Sequence, residues 1–384
     1  MSLDDLQAGR KLRVGIVGGG SGAFIGAVHR LAAEFDGDAE LVAGAMSADP
    51  QTAHESAAAW RLPRSYDSYL AMATAEAVRE DGIDFAMVAT PNHLHLPVAR
   101  AFLEAGIHVI CDKPVTATLA EAQSLADIVA AGDALFALTH TYTGYTMVRE
   151  ARAIVAAGRL GTLRKVQVEY NQDWLMEPLE REGNKQAAWR TDPDQAGLSC
   201  CVGDIGTHAF NLLEYISGRA VQEVCAELTS FVEGRQLDDD ASMLLRLEGG
   251  ARGTLVSSQI ACGEENNLTI RLYGTAGGLE WHQQAPDTLI FKPAGKPWET
   301  LRRGGGYLGP IGAEHGRAPG GHPEGYLDAF ANIYRDFIAD VRRVGAGDSP
   351  VNNYPGIAEG VRGMKFVQAA VDSSAAGCAW RSTS

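Results

Sequence analysis

The stretch Leu12-Arg13-Val14-Gly15-Ile16-Val17-Gly18-Gly19-Gly20-Ser21-Gly22-Ala23 decides the fold, because it joins a short apolar strand to a cluster of glycines. An apolar pattern with helical spacing follows from Phe24 to Phe35. Strand and helix patterns then alternate along the N-terminal third. The predicted strands lie at residues 40–45, 85–89, 107–110 and 135–139, and the predicted helices at 49–60, 96–104 and 118–131. This alternation predicts an α/β fold, a doubly wound parallel sheet, in a domain of residues 1–142.

The glycine cluster has the form Gly18-x-Gly20-x-x-Ala23 between the first strand and the first helix. This is a permitted form of the dinucleotide fingerprint of Rossmann domains, in which the backbone approaches a pyrophosphate at a helix N-terminus. We therefore predict that NAD or NADP binds here. The predicted contacts of the loop are Gly18, Gly20, Ser21, Gly22, Ala23, Phe24 and Ile25. Gly26 is an alternative third glycine if the loop is longer, and a glycine-rich turn without a ligand is the alternative interpretation.

The choice between NAD and NADP depends on the end of the second strand. An acidic residue there binds the ribose hydroxyls and repels a 2′-phosphate. This chain has Ser47 at that position, and Asp49 is better explained as a helix cap because Pro50 follows it. No arginine adjoins Ser47 to hold a 2′-phosphate. The sequence leaves both cofactors open, with Ser47 as a predicted contact of either.

Two polar segments follow predicted strands at the same edge of the sheet. Thr90-Pro91-Asn92-His93-Leu94-His95 comes after the strand at 85–89, and Cys111-Asp112-Lys113-Pro114 comes after the strand at 107–110. Ligands bind open α/β sheets at the carboxyl ends of the strands, so we expect both segments to contact the cofactor. The predicted contacts are Thr90, Pro91, Asn92, His95, Asp112 and Lys113. His93 and His95 have the spacing of a metal pair, but the loop lacks nearby carboxylates and thiols, and we predict no metal.

Beyond about Tyr145 the pattern changes from alternation to longer strands. The predicted strands lie at residues 163–173, 223–233, 241–247, 253–260 and 268–273. Val166 to Tyr170 alternates apolar and polar residues, which is typical of a strand with one covered and one open face. We predict an α+β domain with an open-faced, mostly antiparallel sheet in residues 143–384. The glycine- and proline-rich segment 303–325 is a candidate lid or substrate-facing loop, and an amphipathic helix is expected at 325–343.

One segment of this second domain carries acid/base chemistry. In Gly203-Asp204-Ile205-Gly206-Thr207-His208 the carboxylate and the imidazole are four residues apart, so on a helix they share a face. A carboxylate beside an imidazole tunes a general base near neutral pH, which a secondary alcohol needs before it releases hydride. The alternative is a helix N-terminus with Asp204 as its cap.

The composition excludes several classes of function. The chain has 384 residues and a formal charge of -15, which argues against binding to nucleic acid or to an anionic membrane. No stretch approaches the roughly 20 apolar residues of a membrane span, and the first residues lack the apolar core of a secretory signal. We therefore expect a cytoplasmic protein. The six cysteines show no Cys-x-x-Cys spacing, which favours reduced thiols.

The glycine loop, the Thr-Pro-Asn segment, Asp112-Lys113-Pro114 and Asp204 to His208 occur in an order and spacing that resemble the Gfo/Idh/MocA family, named for glucose-fructose oxidoreductase and inositol dehydrogenase. The resemblance covers nearly the whole chain. It implies a Rossmann domain, an open-faced second domain and a homodimer or homotetramer formed through that sheet. It also implies that Lys113 contacts nicotinamide and substrate, and that Asp204 and His208 are the family's acid/base pair. Asp112 replaces the family's usual glutamate, and the aspartate that usually follows the histidine is absent.

These observations lead to a hypothesis for the function. A secondary hydroxyl of a sugar, glycoside or inositol-type polyol is oxidised to a ketone by hydride transfer to the nicotinamide. His208 takes the proton, Asp204 orients the imidazole, and Lys113 stabilises charge on the oxygen. The predicted substrate-binding side chains are Lys113, Trp189, Arg190, Asp204, His208 and His322. For the tryptophan, packing is an equal alternative.

Two other functions stay open from the sequence. One is a glycosidase or lyase that oxidises a sugar transiently, eliminates a group and restores its cofactor. The other is a cofactor-sensing binding protein without catalysis, which the presence of Lys113, Asp204 and His208 disfavours.

Overall fold

The computed structural model describes residues 9–384, which form two compact units. The first unit contains the chain up to Thr139 together with Phe330–Val361. The second contains His140–Ala329 together with Arg362–Ser384. The first unit therefore includes a segment that lies beyond the predicted domain of residues 1–142. Within the described residues, no helix combines the length and the apolar character needed to cross a membrane.

The first unit is built on a six-stranded parallel sheet with strand order β3-β2-β1-β4-β5-β6, which confirms the predicted doubly wound fold. The strands are β1 Leu12–Gly18, β2 Ala39–Ala45, β3 Arg64–Ser65, β4 Phe85–Ala89, β5 His108–Cys111 and β6 Phe136–Leu138. The helices are α1 Phe24–Glu34, α2 Pro50–Ala59, α3 Tyr69–Ala77, α4 His95–Glu104 and α5 Leu119–Ala131. A short 3₁₀ turn, Asn92–Leu94, precedes α4.

Local sequence signals explain where two of these helices begin. Asp49 accepts a hydrogen bond from the Thr52 backbone N–H at 2.8 Å and caps α2, as predicted. Thr118 and Glu121 form a reciprocal capping box at the start of α5, with Glu121 accepting from the Thr118 N–H at 3.0 Å. Because β1, β4 and β5 run parallel, the loops that follow them lie at one edge of the sheet.

The second unit is built on a nine-stranded, mostly antiparallel sheet with strand order β14-β13-β12-β11-β7-β10-β9-β8-β15. The strands are β7 Leu163–Asn171, β8 Val221–Thr229, β9 Asp240–Leu247, β10 Arg252–Ser258, β11 Asn267–Gly274, β12 Gly277–His282, β13 Thr288–Pro293, β14 Glu299–Arg302 and β15 Arg381–Ser382. The strands β7 and β10 pair in parallel, and the other neighbours pair antiparallel. The predicted α+β architecture is confirmed.

The second unit also contains helices. They are α6 Thr146–Ala156, α7 Lys185–Arg190, α8 Pro193–Ala196, α9 Thr207–Ser217 and α10 Pro310–Glu314. Two longer helices, α11 Tyr326–Gly345 and α12 Ile357–Ala375, contribute residues to both units. The alternation predicted for Val166 to Tyr170 is present, because Val166, Val168 and Tyr170 are buried while the residues between them are partly exposed.

The glycine-rich segment 303–325 is held by buried charges. Arg303 is almost fully buried and forms ion pairs with Asp287 at 2.8 Å and with Glu324 at 3.0 Å. Glu324 also accepts hydrogen bonds from the backbone N–H groups of Arg317 and Ala318, each at 2.6 Å. In the segment that the sequence suggested as a candidate lid, Arg303 at one end therefore forms an ion pair with Glu324 near the other end.

Candidate active site

The backbone of the glycine loop in the first unit adopts conformations and close contacts that favour glycine over residues with side chains. Gly18, Gly19 and Gly22 have positive φ values of 76°, 68° and 80°. A Cβ atom on Gly18 would lie 2.5 Å from the Ala89 carbonyl oxygen. Gly26 packs against Gly19, because a Cβ on Gly26 would lie 2.4 Å from the Gly19 Cα. The absence of a side chain at Gly26 therefore allows α1 to approach the glycine loop closely.

Several features of this loop suit a dinucleotide. Ala23, at the N-cap of α1, has a side chain that cannot accept a hydrogen bond, so the helix N-terminus is open to an anion. The Ser21 backbone N–H donates to the Ser56 hydroxyl at 3.2 Å, which orders the loop. The Thr90 hydroxyl at the same sheet edge is buried without a hydrogen-bond partner among the described residues. The residues present fit NAD or NADP.

The end of β2 is neutral at Ser47, as the sequence indicates. The Ser47 hydroxyl accepts a hydrogen bond from the Asp49 backbone N–H at 3.1 Å. The carboxylate of Asp49 is engaged with Thr52, and hydrogen bonds from that residue lower the pKa of Asp49. Asp49 therefore caps α2, and the residue at the predicted ribose position, Ser47, offers a hydroxyl group.

His95 ties together the loops that follow β4 and β5. Its Nδ1 lies 2.7 Å from the Pro114 carbonyl oxygen and its Nε2 lies 2.9 Å from the Thr90 carbonyl oxygen. Burial lowers the pKa of His95, an effect that the nearby Asp112 opposes. Both ring nitrogens face backbone carbonyl oxygens, so this side chain lies between the two loops and positions them.

Asp112 is the polar centre of the sheet edge in the first unit. Its Oδ1 accepts a hydrogen bond from the Thr139 hydroxyl at 2.8 Å and lies 3.8 Å from Nε2 of His29. Burial raises the pKa of Asp112, but His29, Lys113 and His95 together bring it well below its usual range. The carboxylate is therefore charged near neutral pH, and it directly precedes Lys113 in the chain.

In the second unit, Asp204 lies in one turn of π-helix, Val202–Gly206, that runs directly into α9. His208 is the second residue of α9 and is 8% exposed. The first turn of this helix is capped by Asp238, which accepts hydrogen bonds from Cys200 N at 3.0 Å and Val202 N at 2.9 Å. Asp204 is therefore not needed as the cap, the alternative that its position suggested. π-Turns inside helices frequently mark functional sites.

Two donors hold the carboxylate of Asp204. Arg190 Nε lies 3.2 Å and Gln259 Nε2 lies 3.0 Å from Asp204 Oδ2. The Arg190 guanidinium lies over the Trp189 ring, 4.2 Å from its centroid. Of the predicted substrate residues, Arg190 thus contacts Asp204 and Trp189 packs against Arg190. Gln259 also contacts Asp204, and no sequence signal predicted this contact.

Aromatic rings surround His208. The ring centroids of Tyr142 and His140 lie 4.8 Å and 5.5 Å from that of His208, and Tyr170 lies at 6.3 Å. The Tyr142 and Tyr170 hydroxyls bond to each other, and Tyr170 donates to Asn266 Oδ1 at 2.7 Å. Sequence reasoning missed these residues, because the alternation in β7 indicated only a strand with one covered and one open face.

His322 has local contacts. Its Nδ1 lies 3.3 Å from the Pro319 carbonyl oxygen, and its own carbonyl oxygen accepts a hydrogen bond from Arg303. Its side chain is exposed. The structure thus places this predicted substrate residue in the segment 303–325, where its printed contacts are with Pro319 and Arg303.

Comparisons with known proteins match both parts of the chain. Residues 12–140 match the family described as oxidoreductase family, NAD-binding Rossmann fold, and residues 148–280 match the GFO/IDH/MocA C-terminal domain. A solved oxidoreductase from Sinorhizobium meliloti is 46% identical, with a TM-score of 0.88, and the alignment covers 97% of this chain and all of that chain.

Two relatives have names that state a substrate or cofactor. The inositol dehydrogenase homolog from Azotobacter vinelandii, solved with NAD⁺, is 36% identical with a TM-score of 0.94, covering 98% of each chain. The same homolog, solved with NADH and myo-inositol, gives a TM-score of 0.89 at 36% identity over 97% and 98% of the two chains. The levoglucosan dehydrogenase of Pseudarthrobacter phenanthrenivorans is 27% identical over 309 residues, which are 73% of this chain and 76% of that protein.

Proposed function

The chain belongs to the Gfo/Idh/MocA family of oxidoreductases with an NAD-binding Rossmann domain, and from this premise we propose that it oxidises a secondary hydroxyl of a sugar, glycoside or inositol-type polyol to a ketone. The observation that carries the proposal is the helical turn with Asp204 and His208, in which the imidazole is almost buried among aromatic rings. The relatives that act on or bind levoglucosan and myo-inositol support this substrate class.

In the proposed mechanism the cofactor accepts the hydride, and His208, Asp204 and Lys113 act on the substrate hydroxyl. Bound NAD or NADP supplies the hydride acceptor. The glycine loop, Thr90 and Asn92 would hold it at the edge of the parallel sheet. His208 accepts the hydroxyl proton on an imidazole nitrogen, and the carboxylate of Asp204 orients the ring and stabilises the imidazolium that forms. Lys113 donates a hydrogen bond from Nζ to the same oxygen, with its charge balanced by Asp112.

We also propose that the chain forms a homodimer or homotetramer through one face of the second sheet, on which large apolar side chains are exposed. Leu244 on β9 is 52% exposed and Tyr273 on β11 is 36% exposed. Their register partners on the intervening strands place both side chains on the same face. Analytical ultracentrifugation of the purified protein and of the Leu244→Glu variant tests this: a monomeric wild type contradicts it.

Cofactor binding and turnover of the purified protein test the proposed reaction. Tryptophan fluorescence is followed while NAD⁺, NADH, NADP⁺ and NADPH are titrated, and myo-inositol, levoglucosan and aldoses are then screened with the cofactor that binds. We expect Lys113→Ala to lower kcat/KM about 10²–10³-fold and His208→Asn to lower it about 10²–10⁴-fold.

Lys296→Ala, at an exposed lysine in the turn after β13, is the matched control and is expected to leave turnover unchanged. The proposal fails if none of the four nucleotides binds, or if His208→Asn keeps near-normal turnover on the substrate that the wild type oxidises.

A further inference from the structure

We propose that Arg190 and Gln259 are positioning residues that fix the carboxylate of Asp204, and that the charge of Arg190 helps to set the pH dependence of the acid/base step. The inference rests on the proposed function and assigns Arg190 a role other than the substrate contact that the sequence suggested.

Arg190 is fixed on three sides. Its Nε donates to Asp204 Oδ2 at 3.2 Å, and its Nη1 donates to the Gln186 carbonyl oxygen at 3.2 Å and to Gln186 Oε1 at 2.9 Å. The ring of Trp189 lies beneath the guanidinium, and the Trp174 centroid is 5.7 Å away. Stacking and forked hydrogen bonding are properties of arginine that lysine lacks, so this environment selects the guanidinium.

The ion pair is partly buried. The side chains of Arg190 and Asp204 are 21% and 15% exposed. Solvent and salt screen such a pair less than a pair at the surface. The guanidinium therefore acts on Asp204 with a charge that pH does not remove.

Gln259 is oriented by its neighbours. It is fully buried, and its backbone N–H donates to the Asp239 carbonyl oxygen at 2.9 Å. Its Oε1 accepts from the Cys200 thiol at 3.4 Å, which directs Nε2 to Asp204 at 3.0 Å. Burial raises the pKa of Cys200 well above its usual value, so the thiol remains a donor. The amide is therefore locked with its NH₂ group on the carboxylate.

Both donors use the same oxygen of Asp204. Fixing Oδ2 from two directions sets the plane of the carboxylate and so the direction of Oδ1. An orienting carboxylate is effective only when its own geometry is fixed by surrounding groups, as in catalytic triads and in the outer shells of metal ligands. Arg190 and Gln259 supply that support here.

The titratable groups that face Asp204 and His208 come from several elements. They are Arg190 of α7, Cys200 ahead of the π-turn, His140 and Tyr142 ahead of α6, and Tyr170 of β7. Burial raises the pKa values of Tyr142, Tyr170 and Cys200, so these three groups are neutral near pH 7. Arg190 carries a permanent charge. A nearby cation disfavours a protonated imidazole, so loss of the Arg190 charge is expected to move the start of the acid/base step to higher pH.

The pH dependence of kcat tests this role. A primary deuterium isotope effect on kcat is measured first, to establish that the chemical step limits the rate. We expect Arg190→Gln to move the acidic limb of the profile to higher pH by about half a unit to one unit, because the cation is lost. Arg190→Lys restores the limb toward the wild-type position while kcat stays several-fold low, since the stacked fork is missing. Gln259→Glu, which adds a negative charge, moves the limb in the same direction as Arg190→Gln.

Arg164→Gln, at an exposed arginine of β7, is the matched control and leaves the limb in place. A raised KM with unchanged kcat and an unchanged limb in Arg190→Gln overturns the inference and makes Arg190 a substrate contact. An unchanged limb in Gln259→Glu overturns it even if the arginine variants do not fold. Failure of the proposed function is distinct, since the wild type then shows no dehydrogenase turnover, whereas failure of this inference leaves an active wild type and an inactive His208→Asn variant.

Discussion

Asp112 has a shorter side chain than the glutamate usual in its motif, and its carboxylate lies 3.8 Å from the Nε2 atom of His29. His29 is fully buried, with Nδ1 2.6 Å from the Tyr334 hydroxyl and Nε2 3.8 Å from Asp112 Oδ1. Burial raises the pKa of Tyr334 well above its usual value, so this hydroxyl is a donor to Nδ1. The tautomer that results presents an N–H group toward Asp112.

We expect Asp112→Glu to keep kcat within several-fold of the wild type, because one more methylene advances the carboxylate by about 1.5 Å, toward His29. Asp112→Asn, which keeps the size but loses the charge beside Lys113, is expected to lower kcat about 100-fold. Steady-state kinetics measures kcat of both variants, alone and combined with His29→Gln. Equal losses in the two variants would show that charge at this position is unimportant.

Glu280 makes stability depend on pH in a way that its contacts explain. Burial raises its pKa, but hydrogen bonds from Lys292 and from His282, the latter at 2.7 Å, lower it to about 2. A carboxylate with a lowered pKa in the folded state stabilises the fold above its unfolded pKa near 4.5, and this contribution is lost as the pH falls toward 2.

We therefore expect Glu280→Gln to lower the free energy of unfolding by about 1 kcal/mol at pH 7, after allowance for solvent screening, and by almost nothing near pH 2. Urea denaturation at several pH values measures this difference. Glu265→Gln, at an exposed site, is the control. A difference that is the same at pH 7 and pH 3 would exclude the ion pair as its source.

At the scale of elements, the helix that carries Asp204 depends on a distant carboxylate. Asp238 accepts from Ser199 Oγ at 2.9 Å in addition to the Cys200 and Val202 N–H groups. Each buried donor left without a partner costs about 1–3 kcal/mol. We expect Asp238→Ala to lower the free energy of unfolding by about 3 kcal/mol and to lower kcat, because the π-turn shifts. Chemical denaturation and kinetics check this, with Asp133→Ala in an exposed turn as the control. A loss of stability with unchanged kcat would show that the Asp238 cap does not position Asp204 for catalysis.

The contrast between local and distant signals decides what the sequence could predict. The Thr118 cap and the helix starting at Asp49 were predictable because their partners are three residues away. The Asp238 cap and the Gln259 contact join residues 36 and 55 apart in the chain, and no periodicity encodes such pairs. The motif around Asp204 was visible, but its π-turn was not, since it arises from hydrogen bonding that the helical pattern does not determine.

At the scale of the whole molecule, the chain returns to its first unit after building most of the second. The predicted boundary at residue 142 follows the change of pattern, which says nothing about a later helix coming back. Phe337 of α11 packs edge-to-face on Phe85 of β4 with centroids 5.4 Å apart. The Leu138 backbone N–H donates to the Pro355 carbonyl oxygen at 2.8 Å. The segment 330–361 therefore completes the core and one edge of the parallel sheet.

We expect a fragment of residues 1–142 to lack a cooperative thermal transition and to bind the nicotinamide dinucleotide poorly. Removing 330–361 exposes Phe85 and the other apolar residues that it covers, each worth about 1.5–3 kcal/mol, against a total stability of about 5–15 kcal/mol. A Cβ on Gly144 would lie 2.0 Å from the Ala329 carbonyl oxygen, so the chain passes close to itself where the two segments meet. A linker of about four glycine and serine residues can therefore join 142 to 330, and this fusion is expected to melt cooperatively and to bind the dinucleotide. The same fusion with residues 330–361 in scrambled order is the control. Cooperative melting and full-affinity binding by the 1–142 fragment alone would show that the returning segment is dispensable for the fold of the first unit.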